Sequence, residues 1–260
     1  MSQWSVLPLP NMVVLCALVC LAGFVDASAG GGGLIALPAY MATGIPMHSV
    51  VACNKISSAI GTTFSTLRFL KNGAMELKVG LLAAVTSFGG SALASHLVLL
   101  IPDRALRIVL LVTLPVAAVI IFTRRSAPDV DRSADLTGAK KWLLAAGIGF
   151  FLGGYDGLVG PGTGTFAILA FAALMGYDLR RASGNAKLLN LASNVASAVT
   201  MIFAGKVMWL VALPAGAFGI LGHLLGSGFA LKKGAKFIRP MMMVVLALLM
   251  LDLIWETFLK

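Results

Sequence analysis

The sequence predicts an all-α, polytopic integral membrane protein built from two internal repeats of inverted topology. Three observations carry this. Of the 260 residues, 59% are hydrophobic and 12% charged, where a soluble domain has about 25% charged residues. Mean hydropathy is +0.95, and apolar runs recur along the whole chain. Finally, a Gly-rich break behind an aspartate occurs twice. The first reads Asp26-Ala27-Ser28-Ala29-Gly30-Gly31-Gly32-Gly33, and the second Asp156-Gly157-Leu158-Val159-Gly160-Pro161-Gly162-Thr163-Gly164. Gly and Pro are poor helix residues, so each break unwinds the chain between apolar runs. Unwound backbone beside a charge at membrane depth points to a transport site.

Ten helical segments follow in order, at 12–28, 31–45, 50–70, 79–101, 105–123, 142–159, 162–177, 185–204, 208–231 and 239–258. Those at 31–45 and 162–177 are short for a crossing, so a hydropathy window counts about eight spans. The polar stretch Arg124 to Lys141 divides the chain. The organisation expected is a first membrane repeat over 11–123, a cytoplasmic linker over 124–141 and a second membrane repeat over 142–260. At an offset of 132 residues, Gly30, Gly32, Leu37, Gly44, Lys55, Ser65 and Gly73 match Gly162, Gly164, Leu169, Gly176, Lys187, Ser197 and Gly205, and Arg107 matches Arg239. This reads as an old duplication.

The net charge of +10 lies mostly in short loops, the orientation signal of a membrane protein rather than a nucleic-acid surface. If all ten segments cross, the loops at 71–78, 124–141, 178–186 and 232–239 share one side and hold most of the Lys and Arg. That side is expected to be cytoplasmic, with both termini periplasmic or extracellular. Five segments per half then give inverted repeats. The first apolar run lacks a basic n-region, so it reads as a retained helix despite the cleavage-like Ala27-Ser28-Ala29. Cys16, Cys20 and Cys53 form no disulfide or metal pattern.

The third segment carries Lys55, Ser58, Thr62 and Ser65 on one helical stripe, and the eighth carries Lys187, Asn190, Asn194 and Ser197. Facing lipid, these groups would be unsatisfied, so they face the bundle interior. One reading is an anion site. Lys55 and Lys187 give charge; Ser58, Thr62, Asn54, Asn185, Asn190 and Asn194 give hydrogen bonds. The breaks at Gly31, Gly32, Gly162, Thr163 and Gly164 give backbone N–H groups at helix starts. The other reading is polar glue between helices with snorkelling lysines. Asp26 and Asp156 read either as coupling residues or partners of the lysines, or as caps at the breaks. His96 and His223 read more readily as hydrogen-bonded packing residues than as proton relays, and Arg68 as reaching the interface. Gly160-x-Gly-x-Gly lacks the Gly-Lys-Ser/Thr ending of a phosphate loop, and no HExxH, GxSxG or paired-His spacing marks an enzyme. No cofactor and no metal is expected.

At Gly23 to Leu34, Pro46, Ala52-Cys53-Asn54-Lys55 and Phe69 to Gly73 the chain resembles the sulfite exporter TauE/SafE family, also called the 4-toluene sulfonate uptake permease family. The resemblance continues at Gly154-Tyr155-Asp156-Gly157, Gly160 to Gly164 and Ala182 to Lys187. It implies a bacterial inner-membrane secondary transporter of small, often sulfur-containing anions, with about eight spans from a duplicated unit. The expectation is export of sulfite or short organosulfonates. Uptake of sulfonates or organic acids, or an anion channel with the same lining, is the alternative. The partners expected are the anionic substrate and the bilayer, with no nucleic acid; homo-oligomerisation stays open.

Overall fold

The computed structural model describes residues 5–110, 112–113, 130–158, 160–233 and 237. Its helices are α1 (Leu9–Ala29), α2 (Gly33–Met41), α3 (Met47–Lys71), α4 (Leu77–Leu100), α5 (Gly138–Leu158), α6 (Thr163–Met175), α7 (Leu179–Phe203) and α8 (Trp209–Lys233), with a 3-10 turn at Ser133–Asp135. Residues 103–110 are also helical. The segment expected at 239–258 lies outside the described residues, as does most of that at 105–123. Among the described residues, α1, α4, α7 and α8 are long and apolar enough to cross a membrane.

The succession of helices repeats. Both ends of α3 and α7 lie 132 residues apart, as do the starts of α4 and α8. The breaks differ in length: three residues, 30–32, separate α1 from α2, and four, 159–162, separate α5 from α6. Two boundaries correct the sequence reading. Helix α7 begins at Leu179, not 185, because the Asp178 side chain accepts hydrogen bonds from the Arg180 and Arg181 N–H groups. Much of the expected basic loop 178–186 is therefore helix. Helix α3 begins three residues early, straight after Pro46, whose fixed φ suits a helix entry.

The halves interlock. Helix α4 packs on α5, the first helix of the other half, and α1 packs on α8 in the same way; α3 also crosses α8, and α4 crosses α7. Small residues allow these close approaches. A Cβ on Gly222 of α8 would lie 1.9 Å from the Cys20 carbonyl of α1. On α5 a Cβ at Gly157 would lie 2.4 Å from the Ser91 carbonyl of α4. Two apolar clusters flank the centre. One gathers Phe69, Phe171 and Tyr177, and the other Leu37, Val50 and Val211.

Loops of both halves meet at one end of the bundle. Glu76 pairs with Lys141 at 2.8 Å and accepts from the Tyr177 hydroxyl at 2.5 Å. Arg181 pairs with Asp131 at 2.9 Å. Burial pushes the Glu76 carboxyl up, but the hydrogen bonds from Lys141 and Tyr177 outweigh it and hold it below the usual carboxylate range. At the other end His48 bonds Asp103, tying the start of α3 to the segment after α4.

Candidate functional site

The two glycine breaks touch. The Thr165 N–H donates to the Gly30 carbonyl at 3.1 Å, and the Thr165 hydroxyl donates to the Ala29 carbonyl at 2.8 Å. Both Gly30 and Gly162 adopt positive φ, at 81° and 76°, which side chains rarely tolerate. A Cβ on Gly30 would lie 2.2 Å from the Gly164 backbone, so the crossing requires bare backbone on top of the torsion. The Tyr155 hydroxyl donates to the Pro161 carbonyl at 2.7 Å and braces the second break.

Each break is flanked by an ion pair that joins the two halves. Lys55 of α3 lies 2.7 Å from Asp156 of α5, and its ammonium donates to the Asp156 carbonyl at 2.6 Å. Lys187 of α7 lies 2.8 Å from the Asp26 carboxylate of α1 and also bonds the Asp26 carbonyl. The lysines are 2% and 0% exposed, which rules out snorkelling. Each ammonium thus sits at the end of the broken helix, against the carbonyl and the carboxylate of one aspartate. The aspartate side chains do not cap the half-helices; α2 and α6 start without a side-chain cap. Glycine again makes room. A Cβ on Gly160 would lie 3.1 Å from the Lys55 ammonium, and one on Gly32 would lie 2.5 Å from Asp26 Cβ.

The environments of the two pairs differ. Beside Asp26 stands His223 of α8, buried, with Nε2 3.3 Å from the carboxylate and 3.3 Å from the Thr62 hydroxyl. Its Nδ1 lies 3.0 Å from the Gly219 carbonyl. At the 132-residue offset, His223 corresponds to Ser91 of α4. That serine belongs to a ladder, Ser87, Ser91 and Ser95, fully buried on α4. Ser87 donates to the Leu189 carbonyl at 3.1 Å and Ser91 to the Ser193 carbonyl at 2.8 Å. Ser95 donates to the Gly157 carbonyl at 3.3 Å and lies 2.6 Å from the Ser197 hydroxyl.

The sequence-derived site residues are partly brought together. Ser58 and Gly32 line a cavity of about 20 Å³ with Asp26 and His223, and Thr62 bonds His223. The Thr163 hydroxyl donates to the Gly160 carbonyl at 2.9 Å, within its own break. The Gly31 carbonyl, one residue before the N-cap of α2, accepts from the Leu34 N–H at 3.1 Å, and Gly164 packs on Gly30. Asn54 is buried beside Lys55 with its amide oxygen unpaired. Asn185 of α7 instead accepts from the Glu76 N–H, at the start of α4, at 3.0 Å. Asn194 donates to the Asn190 carbonyl of its own helix at 2.8 Å. Among the described residues, no hydrogen bond joins the Asn190 or Asn194 side chain to either lysine. His223, read from the sequence as a hydrogen-bonded packing residue before a proton relay, is hydrogen-bonded here, and its match to a serine at the repeat offset was the signal that sets it apart. His96 is exposed on α4 rather than packed. Arg68 bonds the Leu224 carbonyl of α8. Among the described residues no group of three His, Cys, Asp or Glu side chains is placed to hold a metal.

The profile of the family described as sulfite exporter TauE/SafE matches residues 15–253. A probable membrane transporter protein, ORF9, of Sinorhizobium sp. is 35% identical over 225 residues, spanning 86% of this chain and 85% of that one. The probable membrane transporter protein YfcA of Escherichia coli K12 is 34% identical, spanning 94% of this chain and 90% of the relative. A probable membrane transporter protein of Haemophilus influenzae is 33% identical, spanning 94% and 95%. No solved structure matches the chain.

Proposed function

The chain belongs to the sulfite exporter TauE/SafE family of membrane transporters, and on that premise we propose that it carries small oxyanions, sulfite or short organosulfonates, out across the bacterial inner membrane. The observation that carries this reading is the pair of crossed lysine–aspartate contacts at the touching breaks. A buried ammonium without a counter-charge is strongly destabilised. Each lysine therefore keeps its aspartate until another anion replaces it. An incoming sulfite or sulfonate supplies that replacement, with Ser58 and Thr62 donating hydroxyls and the break glycines leaving room for its oxygens.

The cavity of about 20 Å³ beside Asp26 has room for about one water. An oxyanion with three oxygens fits only after the halves part. That supports a carrier in which one half rocks on the other over a continuous channel. Inverted repeats, a cytoplasmic basic end and termini on the opposite side complete the reading. Because the cargo is negative, an inside-negative potential favours its exit, which supports export over uptake.

The test is flux through proteoliposomes holding the purified chain, screened with sulfite, sulfate, thiosulfate, two-carbon sulfonates and carboxylates. Saturable sulfite or sulfonate flux that falls at least about tenfold in Lys55→Ala and Lys187→Ala supports the reading. Flux unchanged by both substitutions would falsify the anion-site role of the lysines. Flux that never saturates, with large unitary currents, would convert the carrier into a channel.

A further inference from the structure

We propose that His223 is the proton acceptor of the Asp26–Lys187 pair, so that anion binding at the first break takes up a proton while the second break binds without one. This deepens the carrier reading above and rests on it. The imidazole sits in a slot shaped for it. A Cβ on Gly61 of α3 would lie 2.4 Å from Nδ1, and one on Gly23 of α1 would lie 2.7 Å from it. Every element packed on the ring contributes a defined neighbour. Asp26 comes from α1, Thr62 from α3 and the Gly219 carbonyl from α8 itself, with Lys187 of α7 behind the carboxylate. Arg68, the next cation along α3, is spent on the Leu224 carbonyl.

The hydrogen-bond chemistry gives the ring two states. The Gly219 carbonyl only accepts, so Nδ1 must carry a proton to bond it. Nε2 then faces a carboxylate, which also only accepts, and a hydroxyl, which does either. With Nε2 protonated, the ring donates to Asp26. With Nε2 bare, the Thr62 hydroxyl donates to it and Asp26 is left to Lys187 alone. His is the side chain suited to change between such states near neutral pH. The proton arrives at Nε2 through the water-sized cavity that Asp26, His223 and Ser58 line. Counting Lys187, Asp26 and His223, uptake takes the cluster from net zero to one positive charge. At the repeat position of His223 the other half carries Ser91, whose hydroxyl bonds α7 and takes up no proton.

The probes are sulfite and 2-hydroxyethanesulfonate; the sulfonate stays ionised throughout. Binding to the detergent-purified chain is followed in weakly buffered solution with a pH-indicator dye. Subtracting His223→Gln from wild type removes the titration of sulfite itself. The expected result is proton uptake on binding by the wild type and none by His223→Gln, which binds about tenfold more weakly at pH 6. In proteoliposomes with equal pH on both sides, wild-type flux rises from pH 8 to pH 6 and the variant is flat. Thr62→Val keeps the imidazole but removes the partner of its bare state, so its pH profile moves to higher pH. Equal proton uptake in His223→Gln, or a Thr62→Val profile that stays put or moves down, overturns the inference alone. Failure of the wild type to bind either anion overturns the carrier reading and this inference with it.

Discussion

The two breaks carry the same ion pair in different settings. At the first, Asp26 holds Lys187 and faces His223, which also bonds Thr62; at the second, Asp156 holds Lys55. On that second side, α4 presents Ser87, Ser91 and Ser95 to α7 instead. The two breaks share the charges and the glycines but not the partner from the fourth helix. A serine ladder knits helices together, while a histidine beside a carboxylate responds to protons. The comparison teaches that structural symmetry and chemical symmetry separate at His223 against Ser91, as they do at Ser58 and Thr62 against Asn190 and Asn194.

The sharpest way to break the comparison is to remove the carboxylates one at a time. Asp156→Ala strands a buried ammonium and is expected to cost about 3–5 kcal/mol of stability, with transport abolished. Asp26→Ala should cost less, because a bare His223 Nε2 is within the same cluster to accept from Lys187. Thermal unfolding of both variants in detergent decides it. Equal losses would show that the histidine gives the first pair no support.

Next come the crossings. Gly222→Ala at α1–α8 and Gly157→Ala at α4–α5 each drive a methyl into a neighbouring carbonyl, at an expected 1–3 kcal/mol, roughly the range for overpacking. Similar losses of unfolding temperature at both crossings would confirm that they do equivalent structural work. A neutral Gly222→Ala would mean that α1 and α8 slide apart with little penalty.

A smaller effect separates glue from chemistry. Ser91→Ala removes the hydroxyl that bonds the Ser193 carbonyl and should cost only about 0.6 kcal/mol. Its flux should keep the pH profile of the wild type, in contrast to His223→Gln. A flattened profile in Ser91→Ala would place proton chemistry at the second break and erase the distinction.

The smallest effect lies outside the membrane, where both halves meet at Glu76. Its carboxyl titrates lower in the folded chain than in the unfolded one, so its pairing stabilises the fold above the usual carboxylate range. That contribution is lost as pH falls through the lowered value. Unfolding temperature against pH should show a shallower acid limb in Glu76→Gln than in wild type; identical limbs would mean that the contact with Lys141 and Tyr177 contributes nothing.

Much of the fold was legible because membrane helices announce themselves by composition. The breaks at Gly30 and Gly162, the lysines at matched positions and the 132-residue offset were all readable from local residue types. Helix starts were less so. The beginning of α7 at Leu179 rests on the Asp178 cap, which hydropathy ignores because Arg180 and Arg181 look like loop residues. The site was half legible. Lys55, Lys187, Asp26 and Asp156 stood out as charges among apolar residues. Asn185, expected to give hydrogen bonds at the site, accepts from the Glu76 N–H instead, since two residues of helix turn its side chain away from that of Lys187.

By itself the sequence determined that this chain lives in a bilayer, that its helices fail twice beside an aspartate, and that its halves share one plan. Those are consequences of hydropathy and backbone propensity, which act within a few residues. Only the tertiary structure decided which aspartate answers which lysine. The partners lie 101 and 161 residues apart, each in the opposite half. It also brought His223 to Asp26 across 197 residues. Such pairings depend on how α1, α3, α7 and α8 cross, and crossing is set by the close packing of glycines and small side chains over the whole bundle rather than by any local signal.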